Sequence, residues 1–520
     1  MLVECLVQEG VERVFGIPGE ENLDLMDEIS AAGIEFVLTR HEQAAAFMAG
    51  TVGRLTGRPG VCMSTLGPGA TNLVTGVADA YLSNFPLIAL VAQAGEARRN
   101  PPQKQVLDLL AMFRPLTKVA MDVGAPDDVP MVVRRAFALA TEERAGPVML
   151  QVPEDTMRMP ATSRPVTPPS IVTRDARPDA LDAVRKVLRM SGRGLVILGH
   201  GVVRERAVLE ARAFCEAWNL PAACTWLAAG SMPYDHPLSL GTVGMRDSDL
   251  VKGCYEEADT VLLLGYDAAE FQPQYWNRGR EKKVLHLGRT GLGRVRDLKV
   301  EMEALGDLPT TLAALSQRAI PRENWADRHR TGLCVELERP GTGSKGLVQA
   351  LRRQLGRGDI LVSDVGAHLI WMAKYYPSYE ANTLLLQNGL ISMGAALPSA
   401  IAARLLLPER RVVAVVGDGG FLMSSAELET AKRMGVGFVT VIFNDGGLGL
   451  IKEKMKRALG RSSHTELGLP DIPGYARSFG AEGHSVEGRE FEAVLQDCLG
   501  RNALAVIDVK VDYSDNQFLF

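Results

Sequence analysis

The chain has 520 residues, 46% of them hydrophobic and 23% charged, and a formal net charge of −5. This composition is typical of a globular protein of about two to four domains. The mild charge and the lack of a dense lysine and arginine run argue against nucleic-acid binding. No stretch is apolar enough to span a bilayer, and residues 1–4 lack the charged start of a signal peptide, so we expect a cytoplasmic protein with no membrane partner.

The seven cysteines are scattered, and no two have the C-x-x-C spacing. This argues against a zinc site and against a disulfide framework. We interpret them as reduced thiols of the core: Cys5, Cys62, Cys215, Cys224, Cys254, Cys334 and Cys498.

The first part of the chain alternates helical patterns with short apolar runs. Strands are predicted at 11–16, 34–39, 60–65 and 87–92, with helices at 2–10, 22–32, 41–55 and a further one ending at 81. Alternation of this kind is typical of a parallel sheet covered by helices on both faces.

Two further blocks follow the first. A Pro/Thr/Ser-rich linker is predicted at 153–178, a second alternating block at about 179–317, and a polar connection at 319–342. The Gly199-His200-Gly201 turn has Arg204 where a dinucleotide loop needs its third glycine, so we interpret it as structural. We predict an α/β protein of three doubly wound parallel-sheet domains at 1–155, 175–318 and 343–520.

The strongest functional pattern lies at 412–452. An apolar run ends in Gly417-Asp418-Gly419-Gly420, Glu-Leu-Glu-Thr-Ala follows at 427–431, and a second apolar run ends in Asn444-Asp445-Gly446-Gly447. If the runs are neighbouring parallel strands, both polar clusters lie at the sheet edge where such folds bind ligands. Oxygen donors there suit Mg²⁺, and glycines let the backbone approach phosphates. The pattern favours a diphosphate held through a metal; a loop that only turns is the alternative.

This arrangement resembles the thiamin diphosphate signature, in which Gly-Asp-Gly is followed by Glu-Leu-x-Thr-Ala and then by two asparagines. The resemblance implies that Asp418, Asp445 and the carbonyl of Gly447 bind Mg²⁺, and that Gly417, Gly419 and Gly420 lie at the cofactor. Asp445 replaces the second asparagine of the signature. Because aspartate keeps an oxygen donor and adds a negative charge, we expect the metal to remain while the charge balance of the site changes.

Three segments of the first block resemble the pyrimidine-binding domain of thiamin diphosphate enzymes, most closely acetolactate synthases: FGIPG at 15–19, RHEQAAAFMA at 40–49 and STLGPGATN at 64–72. Taken alone, Glu42 is a helix-start carboxylate favoured by the helix dipole. The resemblance implies that it hydrogen-bonds the aminopyrimidine ring of the cofactor. A carboxyl group in a dry pocket can share a proton with that ring and so favour the imino tautomer that activates the thiazolium carbon.

Two loops of the last block, 363–368 and 387–394, follow predicted strands. Taken alone, His368 is a turn residue and Met393 a core filler. The resemblance implies that Ala367 and His368 hold the diphosphate, and that Ser392 and Met393 contact the cofactor, with Met393 wedging it into a bent conformation. The family usually has glutamine at Ala367, so a backbone contact is expected there.

The resemblance also bears on assembly and on flavin. Glu42 and the metal site fall in different domains, which in this family meet across a subunit interface, so we expect a homodimer at least and often a tetramer. The segments 265–277 and 511–516, together with Asp445, resemble the FAD-independent catabolic acetolactate synthases, and FAD is not expected.

Substrate choice is less constrained by the sequence. Gln93 and Lys118 match positions that line the substrate channel of acetolactate synthases. Glu20 stands where those enzymes have a small residue and pyruvate decarboxylase an acidic one; a solvent-facing helix-start carboxylate is the alternative. The leading hypothesis is decarboxylation of pyruvate and transfer of the hydroxyethyl group to a second 2-oxo acid, giving 2-acetolactate. A 2-oxo-acid decarboxylase and a non-catalytic thiamin-binding paralogue are the alternatives, and the acceptor and the pathway stay open.

Overall fold

The computed structural model describes residues 1–99, 103–168, 173–245, 248–513 and 516. The described residues form three six-stranded sheets, one after another along the chain, and every strand pair within them is parallel. This confirms the predicted α/β class. We call the parts built on these sheets the first, central and third units.

The first unit has the strand order β2-β1-β3-β4-β6-β5. Its strands are β1 Arg13–Gly16, β2 Glu35–Leu38, β3 Gly60–Ser64, β4 Leu87–Gln93, β5 Val119–Asp122 and β6 Pro147–Pro153. Its helices are α1 Leu2–Gln8, α2 Leu23–Ala31, α3 Glu42–Thr56, α4 Pro68–Leu82, α5 Glu96–Arg99, α6 Leu109–Phe113, α7 Val129–Thr141 and α8 Glu154–Arg158. The chain reverses direction across the sheet between β1 and β3, so a ligand-binding crevice is expected beyond these two strands.

The central unit has the strand order β12-β11-β10-β7-β8-β9. Its strands are β7 Gly194–Leu198, β8 Ala222–Cys224, β9 Ser239–Thr242, β10 Thr260–Leu264, β11 Lys283–Gly288 and β12 Met302–Leu305. Its helices are α9 Pro178–Met190, α10 Gly201–Arg204, α11 Val208–Trp218, α12 Lys252–Glu257, α13 Pro273–Trp276 and α14 Leu308–Ser316, and α15 Asp327–Glu338 follows in the connection.

The third unit has the strand order β14-β13-β15-β16-β18-β17. Its strands are β13 Ile360–Ser363, β14 Leu384–Leu386, β15 Val412–Gly417, β16 Val439–Asn444, β17 Glu482–Val486 and β18 Ala505–Lys510. Its helices are α16 Gly343–Gln354, α17 Ala367–Tyr375, α18 Ala396–Leu406, α19 Asp418–Ser424, α20 Glu427–Arg433, α21 Gly449–Leu459, α22 Ile472–Ser478 and α23 Phe491–Gly500. The strand order of this sheet reverses between β13 and β15, which places the ligand-binding crevice beside the Gly417-Asp418 turn.

The first and third units share a hydrophobic core. One buried cluster includes Ala45 and Ala49 of α3 together with Leu397 and Ile401 of α18. The buried Arg54 of α3 donates to the carbonyls of Leu386, at 3.0 Å, and Leu384, at 3.4 Å. These two units therefore pack as one body, although the central unit separates them in sequence.

Two predicted connections contain regular structure. The start of the predicted linker at 153–178 belongs to β6 and α8, and residues 169–172 lie outside the described residues. The predicted polar connection at 319–342 contains α15, which buries Leu333 and Leu337. Their spacing of four residues places them on one helix face, a pattern that our prediction of a connection overlooked. Ser514 and Asp515, from the segment that resembles the catabolic enzymes, also lie outside the described residues.

In the described part of the chain, no helix combines the length and the apolarity that crossing a membrane requires.

Candidate active site

The carboxyl ends of three neighbouring strands, β13, β15 and β16, form one edge of the third sheet. A cavity of about 110 Å³ lies at this edge. Pockets that take a whole small-molecule ligand usually measure about 300–1,000 Å³, so this cavity suits one end of a larger molecule. It is lined by Val365, Gly366, Ala367, His368, Met393, Gly417, Asp418, Gly419, Gly420, Phe443, Asp445, Gly447, Leu448, Gly449, Leu450, Ile451 and Tyr513.

Nine of the predicted cofactor or metal residues line this cavity: Ala367, His368, Met393, Gly417, Asp418, Gly419, Gly420, Asp445 and Gly447. Ser392 precedes Met393 and donates its hydroxyl proton to the Met393 carbonyl at 3.2 Å. A larger cavity, of about 670 Å³, lies beside α1 and α2 of the first unit, and none of the predicted site residues lines it.

Two carboxylates face the cavity from adjacent strand ends. Asp418 begins α19 and accepts hydrogen bonds from the backbone N–H groups of Gly419, at 2.7 Å, and Gly447, at 2.9 Å. Burial raises the pKa of Asp418. Burial, followed by the charge of Asp418, raises the pKa of Asp445 to about 7. Such a pair of mutually repelling oxygen donors is stabilised by a divalent cation.

The turn that carries Asp445 is fixed by its neighbour. Asn444 donates to the carboxylate of Asp508 at 2.8 Å and accepts from the N–H of Gly446 at 3.1 Å. Both side-chain groups of Asn444 are thus used within the third unit, which leaves Asp445 as the side chain of this pair that faces the cavity.

Asp364 organises the opposite wall, and we had assigned it no role from the sequence. Its buried carboxylate accepts from the N–H of Val365 at 2.8 Å and from the N–H of Gly394 at 2.9 Å. A Cβ at Gly420 would lie 2.7 Å from Asp364 Oδ2, so only glycine fits there. One carboxylate therefore joins its own loop to the loop that carries Met393 and also packs against the first turn of α19.

His368 contributes a free polar atom to the cavity wall. The side chain is buried, and its Nε2 has no hydrogen-bond partner among the described residues. Burial lowers the pKa of His368 to about 4, so the ring is neutral at pH 7. A buried polar atom without a partner is costly, which makes Nε2 a candidate contact for a bound ligand.

Glu42 lies in the first unit and does not line this cavity within the described chain. It is buried at the start of α3, and its Oε2 accepts from the Asn72 amide at 2.9 Å. A Cβ at Gly69 would lie 3.2 Å from Glu42 Oε1, so this carboxylate borders the first turn of α4. Glu42 and the two carboxylates of the cavity, Asp418 and Asp445, thus lie in separate parts of the chain.

A second carboxylate that we had not assigned links these two parts. Glu427, from the Glu-Leu-Glu-Thr-Ala segment, accepts from the backbone N–H of Arg40 at 2.9 Å and of His41 at 3.1 Å. Its other oxygen accepts from the Thr430 hydroxyl at 2.6 Å. The motif was visible in the sequence, but its partner lies nearly 400 residues away, so no local pattern could reveal the contact.

The remaining predicted site residues lie elsewhere in the first unit. Gln93 is buried, donates to the Leu107 carbonyl at 3.1 Å and accepts from the Ala94 N–H at 2.9 Å. Lys118 donates to the carbonyl of Glu142 at 2.6 Å, and burial lowers its pKa. Glu20 is exposed at the start of a 3₁₀ turn after β1.

Comparison with known proteins decides which ligand these parts serve. Three family models match the chain: the thiamine pyrophosphate enzyme N-terminal TPP binding domain at residues 1–112, the central domain at 181–315 and the C-terminal TPP binding domain at 364–509. An acetolactate synthase of Bacillus subtilis is 34% identical over 99% of this chain and 93% of its own length. The chain belongs to the acetolactate synthase family of thiamin diphosphate enzymes.

Two further relatives agree with this assignment. The catabolic acetolactate synthase of Raoultella terrigena is 32% identical over 100% of this chain and 96% of its own length. The large subunit of acetolactate synthase isozyme 3 of Escherichia coli is 31% identical over 100% of this chain and 95% of its own length. This member of the acetolactate synthase family is therefore a thiamin diphosphate-dependent enzyme with an acetolactate synthase-like function.

Proposed function

We propose that the enzyme decarboxylates pyruvate and transfers the remaining two-carbon group to a second 2-oxo acid, giving 2-acetolactate and CO₂. The observation that carries this proposal is the cavity at the third sheet, where two carboxylates, an unpartnered imidazole nitrogen and glycine-rich turns converge. Relatives named as acetolactate synthases, aligned over the whole chain, support the choice of reaction.

The residues around the cavity fit a diphosphate bound through Mg²⁺. We assign the metal to Asp418, Asp445 and the Gly447 carbonyl, because hard cations prefer oxygen donors. Close backbone approach is possible at Gly419 and Gly420, and His368 Nε2 is free to bond an oxygen. When bound, thiamin diphosphate supplies the carbon nucleophile and the electron sink for decarboxylation.

The reaction centre needs Glu42 from a second copy of the chain. Within one chain Glu42 does not reach the cavity, whose surroundings expose large apolar side chains: Ile391 is 47%, Met423 61% and Ile451 47% exposed. Exposed apolar residues around a half-complete site favour a homodimer related by a two-fold axis. In it, Glu42 would share a proton with the pyrimidine ring, and Met393 would hold the ring against the reacting carbon; a tetramer would be two such dimers.

Glu20 supports a second candidate function, a 2-oxo-acid decarboxylase. Its loop follows β1 and lies beside Thr65, since a Cβ at Gly19 would be 2.4 Å from Thr65 Cβ. The same threonine packs beside Gly69, which borders Glu42. Glu20 thus lies on the loop that flanks the Glu42 pocket, where a carboxyl group could protonate the two-carbon unit and release an aldehyde. Gln93 and Lys118 remain proposed substrate-channel residues.

We propose further that the central unit binds no FAD. Dinucleotides bind where the strand order reverses, here between β7 and β10. At that point the Gly201 N–H donates to the Gly265 carbonyl at 2.8 Å. The buried Glu270 carboxylate accepts from the His200 N–H at 3.1 Å and from the Thr225 hydroxyl. These contacts join the two turns at the crevice through the chain's own atoms, which supports the absence of a flavin.

Product analysis tests the proposal. The purified enzyme with Mg²⁺ and thiamin diphosphate should convert pyruvate to CO₂ and acetolactate, detected as acetoin after acidification, and a mixture with 2-oxobutyrate should reveal the preferred acceptor. Acetaldehyde as the sole product, lost in Glu20→Ala, would establish the decarboxylase instead. Equal activity of Glu42→Gln and the unchanged enzyme would contradict catalysis by this site, and a flavin absorption spectrum would contradict the absence of FAD.

A further inference from the structure

A cluster of three metal-ligand side chains lies on the third unit, apart from the cofactor cavity. Glu482 and His484 are two residues apart on the edge strand β17 and so share one face of it. The buried Cys498 of α23 packs beneath them. Glu482 opens β17, whereas the cofactor cavity lies at the carboxyl ends of the parallel strands, so the two sites are at opposite edges of the sheet.

The two separations that involve His484 match those of a tetrahedral zinc site. His484 Nε2 is 3.7 Å from Cys498 Sγ and 3.4 Å from Glu482 Oε2, and all three atoms lie within 4.8 Å of one another. Zinc bonds of about 2.3 Å to sulfur and about 2.0–2.1 Å to nitrogen and oxygen, at tetrahedral angles, place sulfur and nitrogen about 3.6 Å apart and nitrogen and oxygen about 3.4 Å apart. We propose that Glu482, His484 and Cys498 bind a zinc-class divalent cation.

The neighbouring charges are compatible with such an ion. Arg501 donates to both oxygens of Glu482, at 2.6 and 2.9 Å, and to Asp497 at 2.7 Å. The carboxylates of Glu482 and Asp497 and the guanidinium of Arg501 together carry a net charge of −1. A divalent cation bound with a thiolate brings the sum to zero.

Arg501 then acts as an outer partner of the metal site. The ion replaces its hydrogen bond to Glu482 Oε2, while the bond to Oε1 remains and orients the carboxylate. Hydrogen bonds of this kind to a ligating carboxylate are usual in metal sites. The fourth position, on the exposed side of His484, is left to water.

Uptake of the ion is coupled to loss of one proton. Metals of the zinc class bind cysteine as the thiolate, so the Cys498 thiol gives up its proton when the ion binds. The Sγ–H bond breaks, the Sγ–metal bond forms with the same electron pair, and the proton goes to solvent. Affinity therefore increases with pH. The groups that face the thiol are Glu482 and His484 of β17, Asp497 of α23 and Arg501, which directly follows that helix.

Sequence spacing gave no sign of this site. The scattered cysteines argued against zinc because no C-x-x-C pair is present, whereas here the fold supplies a single cysteine from a helix and the other two ligands from a strand. The ion would fasten the edge strand β17 to α23, a role independent of the catalytic reaction.

Cobalt absorption tests the proposal on the holoenzyme in the presence of Mg²⁺ and thiamin diphosphate. Co²⁺ should give a thiolate-to-metal charge-transfer band that saturates at about one ion per chain, releases about one proton, and is removed by Zn²⁺. A Co²⁺ ion at the cofactor site has only oxygen donors and gives no such band. Cys498→Ser should abolish the band, and Cys334→Ser, which changes a half-buried thiol elsewhere, should keep it.

A variant of His484 tests the same site if Cys498→Ser does not fold. His484→Gln changes a partly exposed ligand and should weaken Co²⁺ binding at least about tenfold, with an unchanged circular dichroism spectrum. No thiolate band at millimolar Co²⁺, or an equal Co²⁺ affinity of His484→Gln and the unchanged enzyme, would overturn the proposal.

Discussion

Replacing Glu427 by alanine should loosen the contact between the first and third units and displace Glu42. The substitution removes the acceptor for the N–H groups of Arg40 and His41 and for the Thr430 hydroxyl. His41 is the N-cap of α3 and Glu42 its first residue, so both effects arise at the same point of the chain.

The magnitude follows from the lost hydrogen bonds. An unsatisfied buried donor costs about 1–3 kcal/mol. Arg40 and His41 are exposed residues and their hydrogen bonds to Glu427 are only partly buried, so the low end of this range applies and we expect a loss of about 2 kcal/mol for the two N–H groups. For a unit of 150–250 residues this corresponds to a decrease in Tm of about 4–8 °C. Glu427→Gln keeps one oxygen acceptor and should lose about half as much.

Glu429→Ala is the matched control. It lies on the same helix but pairs with the side chains of Arg40 and Arg433 at the surface. Such exposed pairs contribute about 0–1 kcal/mol. Thermal unfolding and pyruvate turnover of the three variants should therefore rank Glu427→Ala as most affected and Glu429→Ala as least. Equal shifts for Glu427→Ala and Glu429→Ala would refute the reasoning.

Four further predictions concern the site and its surroundings. Glu42→Gln should lower turnover about 10²–10⁴-fold while thiamin diphosphate still quenches the tryptophan fluorescence; a smaller loss would contradict a proton-sharing role. Asp445→Asn removes the repulsion with Asp418, so the metal-free protein should melt at a higher temperature while Mg²⁺ binds more weakly, as calorimetric titration can show. Met393→Ala should lower turnover about tenfold or more and Met393→Leu, of similar volume, much less; equal losses would exclude the wedge. Burial raises the pKa of Glu270 to about 7. The contribution of this carboxyl group to stability is therefore complete below its pKa in the unfolded chain and is lost as the pH rises through 7. Melting curves at pH 5.5 and 8 should show a smaller loss of stability with pH in Glu270→Gln than in the unchanged protein.

The strands of the site were predictable because buried parallel strands have continuous apolar sequences. The apolar run that begins at 412 and ends in the Gly417 turn is observed as the strand Val412–Gly417, and the helix predicted at 41–55 is observed as Glu42–Thr56. The differences are within the usual uncertainty of element ends. The grouping of Asp418 with Asp445 followed from the same pattern, since parallel strands bring their carboxyl ends to one edge.

Contacts between distant segments could not be predicted in this way. Asp364 lies within a loop that the sequence had marked, but its role depends on Gly394 and Gly420 reaching the same carboxylate. Glu427 acts on Arg40 and His41 through the packing of two units. Neither contact corresponds to a periodic pattern or a fixed spacing in the sequence, because these atoms come together only when the chain has folded.

The shared core of α3 and α18 has a consequence for synthesis of the chain. Ala396, at the start of α18, leaves the ribosome about 350 residues after Glu42. At about 5–20 residues per second this interval is roughly 20–70 s. Until then, the apolar face of α3 that later packs on α18 lacks its native partner. In the nascent first unit this face stays exposed to solvent or is bound by a chaperone. Slow translation of the residues between α3 and α18 would therefore lower the yield of folded enzyme more than slow translation of the residues that follow α18.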